Sequence, residues 1–303
     1  MISPIGLSGF PRLRPKVSDE DYIIPSRPAR DIVFSPALSP DSNSSVPSQS
    51  QLNMTNTIYL ITGANRGIGR GLVAALLSRP NITVIAAVRN PNAESSTSLA
   101  ALPKAPESVL IIVQIDSQSP TDAATAVETL QTTHAITHID VVIANAAVGN
   151  DYSPVRSVPL SVVREHVETN AYGPLVLYQA VYPLLIKSAK PIFVGVGSAM
   201  GTIGAMEQRP FPSAAYGPSK AMLHWIVRKI HFEEADSGVV AFVADPGWVD
   251  TDMSDHSAKV LGVPKPAQAV PETVDGILGT IDGATRESVG GQWRVWDGSE
   301  FPW

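Results

Sequence analysis

Cysteine is absent from the 303-residue chain. That excludes disulfides, thiolate metal sites and cysteine nucleophiles together. No uninterrupted apolar run reaches the length that spans a bilayer, so a soluble, cytoplasmic protein with no membrane partner is expected. Basic charge is in short supply: 22 Lys and Arg stand against 28 Asp and Glu, a formal net charge of −6. Such a balance lays no cationic footprint for nucleic acid. Metal ligands are sparse as well. His134 and His138 have helical ligand spacing, but no third ligand accompanies them, so they read as a solvated helix end and no metal is expected.

The first 50 residues hold eight prolines and eleven serines and show no sustained periodicity. A segment of that kind buries too little apolar surface to offset its ordering entropy, so residues 1–53 are expected to form a disordered extension. A targeting peptide fits poorly, because its five basic residues are balanced by five acids and transit peptides are acid-poor. Met54, just ahead of the first strand, is compatible with an alternative start. Residues 54–303 are expected to form one catalytic domain.

From Thr57 onward short β-branched runs alternate with longer amphipathic stretches. Residues 58–62, 83–88, 109–115, 140–144, 192–196 and 239–244 read as buried parallel strands, with a further strand near 292–295. Helical spacing of Ile68, Leu72, Ala75 and Leu76 follows the first strand. Strand–helix alternation implies right-handed βαβ units. The expected fold is therefore α/β, a Rossmann-type doubly wound parallel sheet in a single domain.

The first strand runs into Thr62-Gly63-Ala64-Asn65-Arg66-Gly67-Ile68-Gly69 and then a helix. Glycines there allow a tight turn and let the backbone approach a pyrophosphate, while the helix N-terminus offers free N–H groups. Glycine triplets alone carry little weight, but this one lies between a strand and a helix. Charge then selects the cofactor. NAD sites usually carry an acid about 20 residues beyond the glycines. Here no acid occurs from Gly63 to Ala93, whereas Arg66 lies in the loop and Arg89 ends the second strand. Two guanidinium groups so placed suit a 2′-phosphate, which points to NADP(H).

At the other end, Tyr216 and Lys220 open a helix four residues apart, so both can serve one site. Ser198 follows the 192–196 strand at the carboxyl edge of the sheet, where α/β folds place ligands. Asn145 ends another strand, and Asn170 sits within the helix after it, an unusual place for asparagine.

With these motifs in their order, the chain from about Thr57 to Trp303 resembles the short-chain dehydrogenase/reductase family. The matching residues are the TGANRGIG turn, Asn145-Ala146, Asn170, Ser198, Tyr216 with Lys220, and Pro246-Gly247. Within the family the chain is most similar to fungal norsolorinic acid ketoreductase-type enzymes, through Ala-Asn-Ala-Ala at 144–147, Val-Arg-Lys-x-His-Phe-Glu at 227–233, and Asp245-Pro246-Gly247 with Thr251-Asp252-Met253. The resemblance implies a catalytic set of Asn170, Ser198, Tyr216 and Lys220. It implies a cofactor site built from Gly63, Asn65, Arg66, Gly67, Ile68, Gly69, Arg89, Asn145, Ala146, Tyr216 and Lys220. Asp116 would contact the adenine, and Pro246, Gly247, Val249 and Thr251 would lie beside the nicotinamide. Tyr216 would deliver a proton, its pKa lowered by Lys220 and the oxidised nicotinamide, while Asn170 would hold a relay water. The expected reaction is NADPH-dependent reduction of a ketone or aldehyde, with an aromatic polyketide-type ketone favoured. A cofactor-binding sensor without turnover is the alternative. A homo-oligomer is compatible with the sequence.

Two features depart from the family pattern. Ala147 replaces the usual glycine. Ser198 and Tyr216 are separated by a longer stretch than usual, Met200 to Ser213, which could reshape the pocket and makes Ser213 a rival to Ser198. His224, four residues past Lys220, could flank the site but reads more readily as a surface or dimer-facing residue. A Ser198–His224 hydrolase fits poorly, since no G-x-S-x-G elbow surrounds Ser198. Trp248, Met200, Met206, Phe211 and Tyr152 fall on loops near strand ends, as candidates to line a wide apolar pocket.

Overall fold

The structure is a computed structural model, and it describes residues 56–303. The extension expected over residues 1–53 lies outside them. Seven strands form one parallel sheet: β1 (Thr57–Thr62), β2 (Ile82–Val88), β3 (Val109–Gln114), β4 (Val141–Ala144), β5 (Ile192–Val196), β6 (Val240–Asp245) and β7 (Trp293–Val295). Their order is β3-β2-β1-β4-β5-β6-β7. Chain order reverses between β1 and β4, and a crevice must open there above the strand carboxyl ends.

The five strands β1, β2, β4, β5 and β6 are buried almost throughout on both faces, which is why they read as continuous apolar runs rather than alternating ones, while the edge strands β3 and β7 are partly exposed. All seven residues of β2 are buried. Successive side chains still point to opposite faces. Ile58 and Leu60 enter one core with Leu130, Leu177, Phe193 and Leu223. Tyr59 and Ile61 enter the other with Leu72, Leu76, Phe242 and Ile277. The first core lies under α3 (Asp122–His134), α5 (Gly173–Leu185) and α6 (Tyr216–Glu233). The second lies under α1 (Gly67–Leu77) and α8 (Val270–Asp282). Three shorter helices, α2 (Glu94–Thr97), α4 (Leu160–Val167) and α7 (Asp252–Leu261), sit in the connections. No helix among the described residues is long and apolar enough to cross a membrane.

Two local departures from regular structure matter for the site. Between α4 and α5 the helix widens into one π-helical turn, Glu168–Tyr172, a feature often found at functional sites. Asn170 lies inside that turn. Its Oδ1 accepts from Val148 N at 2.8 Å, and its Nδ2 donates to Val148 O at 2.9 Å and Ser219 Oγ at 3.0 Å. At the start of α7, Thr251 and Ser254 form a capping box: Thr251 N donates to Ser254 Oγ at 2.9 Å, and Ser254 N donates to Thr251 Oγ1 at 3.4 Å.

Candidate active site

The carboxyl ends of the strands open onto one cleft of about 900 Å³. At its β1–α1 end Gly63 adopts φ +63° and Gly67 φ +50°, the left-handed region that favours glycine. A Cβ at Gly63 would come within 3.0 Å of the Ala146 backbone. Arg66 is the N-cap of α1, no side chain caps the helix, and its first turn carries no acid. The leading N–H groups therefore face the cleft with a positive dipole end, a ready anion site. Exposed Arg66 and Arg89 line the same wall, and neither has a carboxylate partner among the described residues. Asn65 Nδ2 donates to Ser95 Oγ at 2.8 Å, tying the turn to α2.

Asn145 joins the two halves of the sheet at the switch point. Its backbone N donates to Thr62 Oγ1 at 3.0 Å, and its side chain donates to Thr62 O at 2.9 Å. Ala146 N shares the Thr62 hydroxyl at 3.0 Å. Asp116 lines the cleft beyond β3 and accepts from Gln118 N at 3.0 Å. Pro246, Gly247, Val249 and Thr251 form the opposite wall.

Ser198, Tyr216 and Lys220 converge at the β5 end of the cleft. The Tyr216 ring is half-buried, enclosed deeply enough to be desolvated while one edge stays open to the cleft. Burial pushes its phenol above the ordinary value, and the nearby Ser198 hydroxyl opposes the rise. The lowered pKa expected from the sequence is thus not a property of the chain alone, because desolvation outweighs Ser198. Lys220 is buried; its Nζ donates to Val196 O at 2.8 Å and lies 5.7 Å from the Tyr216 ring centroid. Desolvation pulls its ammonium down to about 8, against the attraction of Asp245. Ser213, the rival to Ser198, also reaches the cleft wall, but it is the Ser198 hydroxyl that lies near enough to the Tyr216 phenol to lower its pKa.

Nearly all the expected residues meet in this cleft. Two do not line it. Gly69 lies beneath the turn, where a Cβ would come within 2.3 Å of Gly63 O, so it is glycine for close packing of α1 on β1. Asn170 is fully buried, and both protons of its amide are spent on Val148 and Ser219. These bonds tie the Val148 loop to α6 beneath the wall. Of the loop residues, Tyr152, Met200, Phe211 and Trp248 line the cleft, whereas Met206 is not among them and is exposed.

A family model described as short chain dehydrogenase matches residues 57–260. The chain belongs to the short-chain dehydrogenase family. It is thereby an oxidoreductase acting on carbonyl and alcohol groups. A norsolorinic acid ketoreductase of Dothistroma septosporum is 47% identical over 251 residues, covering 82% of this chain and 92% of that protein. The norsolorinic acid ketoreductase of Aspergillus parasiticus is 43% identical over 250 residues, covering 82% and 91%. Among solved structures, an NADPH-bound carbonyl reductase from chicken fatty liver superimposes with a TM-score of 0.72 at 26% identity, covering 82% of this chain and 99% of that one.

Two residues of this short-chain dehydrogenase's site, Asp245 and Arg209, escape the sequence reading, and a third, His224, lies beside the site rather than on the surface. His224 is 2% exposed. The face of α6 that carries Lys220 packs onto the sheet, and its i+4 neighbour must follow it inward. Its Nε2 accepts from Ser198 N at 3.2 Å, and its ring lies 4.2 Å from that of Trp293. Burial, aided by the Lys220 charge, pushes its imidazole down to about 3, so it stays neutral as an acceptor. Asp245 ends β6, is 3% exposed and lines the cleft. Its Oδ1 accepts from Gly247 N at 2.9 Å, while Oδ2 has no partner of ordinary hydrogen-bond geometry, although the Trp293 indole lies near enough to lower its pKa. Burial nonetheless raises this carboxyl above the usual range. An acid closing an otherwise apolar strand was the available signal. Arg209, in the long segment before Tyr216, left none.

Proposed function

We propose that this chain reduces an aromatic ketone with NADPH, Tyr216 serving as the proton donor. The observation that carries the reading is the meeting of Ser198, Tyr216 and Lys220 at one end of a cleft whose other end offers a glycine turn, a free helix N-terminus and two unpaired arginines. That second end fits a phosphorylated dinucleotide. Gly63, Asn65, Arg66, Gly67 and Ile68 would cradle the pyrophosphate, and Arg66 with Arg89 would take the 2′-phosphate. Asp116 would face the adenine. Asn145, Ala146, Pro246, Gly247, Val249 and Thr251 would wall the nicotinamide half. When bound, NADPH supplies a hydride to the carbonyl carbon.

The chain's own part is to meet the charge that develops on the carbonyl oxygen. Preorganised donors do this at no reorganisation cost. Ser198 would donate a hydrogen bond to that oxygen, and Tyr216 would transfer its phenolic proton to it, leaving the alcohol and a phenolate. Burial keeps the phenol protonated and ready to donate. Lys220, close to the Tyr216 ring, would stabilise the phenolate and bond the nicotinamide ribose. His224 and Asn170 would hold Ser198 and the wall beneath in place. The similarity to norsolorinic acid ketoreductases and to an NADPH-bound carbonyl reductase supports both the cofactor and an aromatic polyketide-type substrate. The test is oxidation of NADPH at 340 nm by purified protein over a panel of aryl ketones. Turnover is expected with NADPH well above NADH. Tight NADPH binding with no carbonyl reduced would make the chain a sensor instead.

A further inference from the structure

The substrate end of the cleft contains a cation that the reduction itself does not use. Arg209 is half-buried in the cleft wall. Its guanidinium lies 5.4 Å over the Phe301 ring, and one terminal nitrogen donates to Gln208 O at 2.9 Å. These contacts hold the group in place and leave its remaining donors free. Among the described residues no carboxylate lies within ion-pair distance of it. Asp245 lines the same cleft, and the Arg209 charge lowers the pKa of its carboxyl although the two form no salt bridge.

The segment that carries Arg209 is also anchored. Gly204 N donates to Trp303 O at 3.2 Å, and Ala205 N donates to Thr202 Oγ1 at 3.1 Å. Arg209 and the aromatic side chains of Phe211, Trp248 and Tyr152 line the same cleft, a slot that combines apolar walls with a forked donor. A half-buried guanidinium without a carboxylate partner among the described residues keeps its forked donors available to an anion.

We propose that Arg209 forms an anion subsite that takes a phenolate oxygen of the aryl ketone. The subsite rests on the ketone-reductase reading and adds to it that the preferred substrate carries an acidic phenol on the ring system bearing the ketone. A planar phenolate in the slot can accept two N–H bonds from the fork.

The test compares Arg209→Gln and Arg209→Lys with wild type, using a dihydroxyphenyl alkyl ketone above its phenol pKa and the methyl ether of the same ketone. Losing a charge-assisted bond should lower the phenol-to-ether ratio of kcat/KM by about ten- to a hundredfold in Arg209→Gln, with partial recovery in Arg209→Lys. Direct titration of the phenol, followed by quenching of tryptophan fluorescence, should weaken in parallel. An unchanged ratio, an equal loss on both ketones, or a comparable loss of NADPH affinity would overturn the subsite while leaving the reductase reading intact. Failure of wild type to reduce either ketone would instead remove the reading on which it rests.

Discussion

Removing one oxygen from Tyr216 tests the proposed chemistry most directly. Tyr216→Phe keeps the ring and its packing against His166, whose centroid lies 6.4 Å away. Fold and NADPH affinity should survive, while turnover should fall at least about a hundredfold, the low end for a lost general acid. Full activity in single-turnover assays would eliminate Tyr216 as donor. Lys220→Met should lose rate and NADPH affinity together, because that side chain serves both. The pH profile adds a second check on Lys220. Its ammonium, pulled down to about 8, discharges as pH rises through that value. In the free enzyme kcat/KM for reduction should therefore decline above about pH 8, and a flat profile to pH 10 would count against a charged Lys220. At the far end, Arg89→Asp should weaken NADPH and favour NADH; one charge-assisted contact is worth about 1.5–3 kcal/mol, with repulsion added. Equal NADPH affinity in titrations of the two proteins would place the phosphate elsewhere.

The turn between β1 and α1 shows how tightly an element can be constrained by a residue that touches no ligand. A Cβ at Gly69 would come within 2.3 Å of Gly63 O and 2.7 Å of Asn145 Nδ2. Both are parts of the scaffold that shapes the cofactor wall, and neither can yield without moving β1 against β4. Gly69→Ala should cost about 1–3 kcal/mol of stability, as overpacking does. It should also weaken NADPH binding, although the residue lies off the cleft. Urea denaturation and cofactor titration on the same preparation would show both effects, and a stable variant with normal affinity would contradict the packing. The π-helical turn illustrates the same logic on the other side of the sheet. Asn170, placed in the catalytic set by family resemblance, spends its amide on the Val148 loop and on Ser219 of α6. An asparagine that spoils a regular helix is explained here by what it holds together.

Across the whole molecule, the buried histidine beneath Ser198 ties stability to pH. His224 has a folded-state pKa of about 3, below the ordinary 6.5. Between those values the unfolded chain binds more protons than the folded one, so stability is fully present above pH 6.5 and is lost as pH falls toward 3. His231, also lowered chiefly by burial, acts in the same direction. The melting temperature of wild type should therefore drop through this window faster than that of His224→Gln, measured by calorimetry in matched buffers. Parallel curves for the two proteins would show that His224 is not held neutral by the fold.

Much of this protein could be read from its sequence. Wholly buried strands must be apolar throughout, and each expected strand lies within about two residues of an observed one. The glycine turn and the Tyr216–Lys220 spacing are local geometry, written in neighbouring residues. The expectation of NADP(H) likewise rests on local charge, the lack of an acid after the turn. What the sequence could not determine depends on contacts between distant segments. The direction in which His224 faces follows from how α6 packs on β5 and β6. The place of Arg209 follows from Phe301, which lies nearly 100 residues away along the chain but directly beneath its guanidinium. The upward shift of the Tyr216 phenol depends on burial summed over many elements. Periodicity and spacing report short-range constraints; desolvation and charge coupling arise only when the sheet brings remote side chains together.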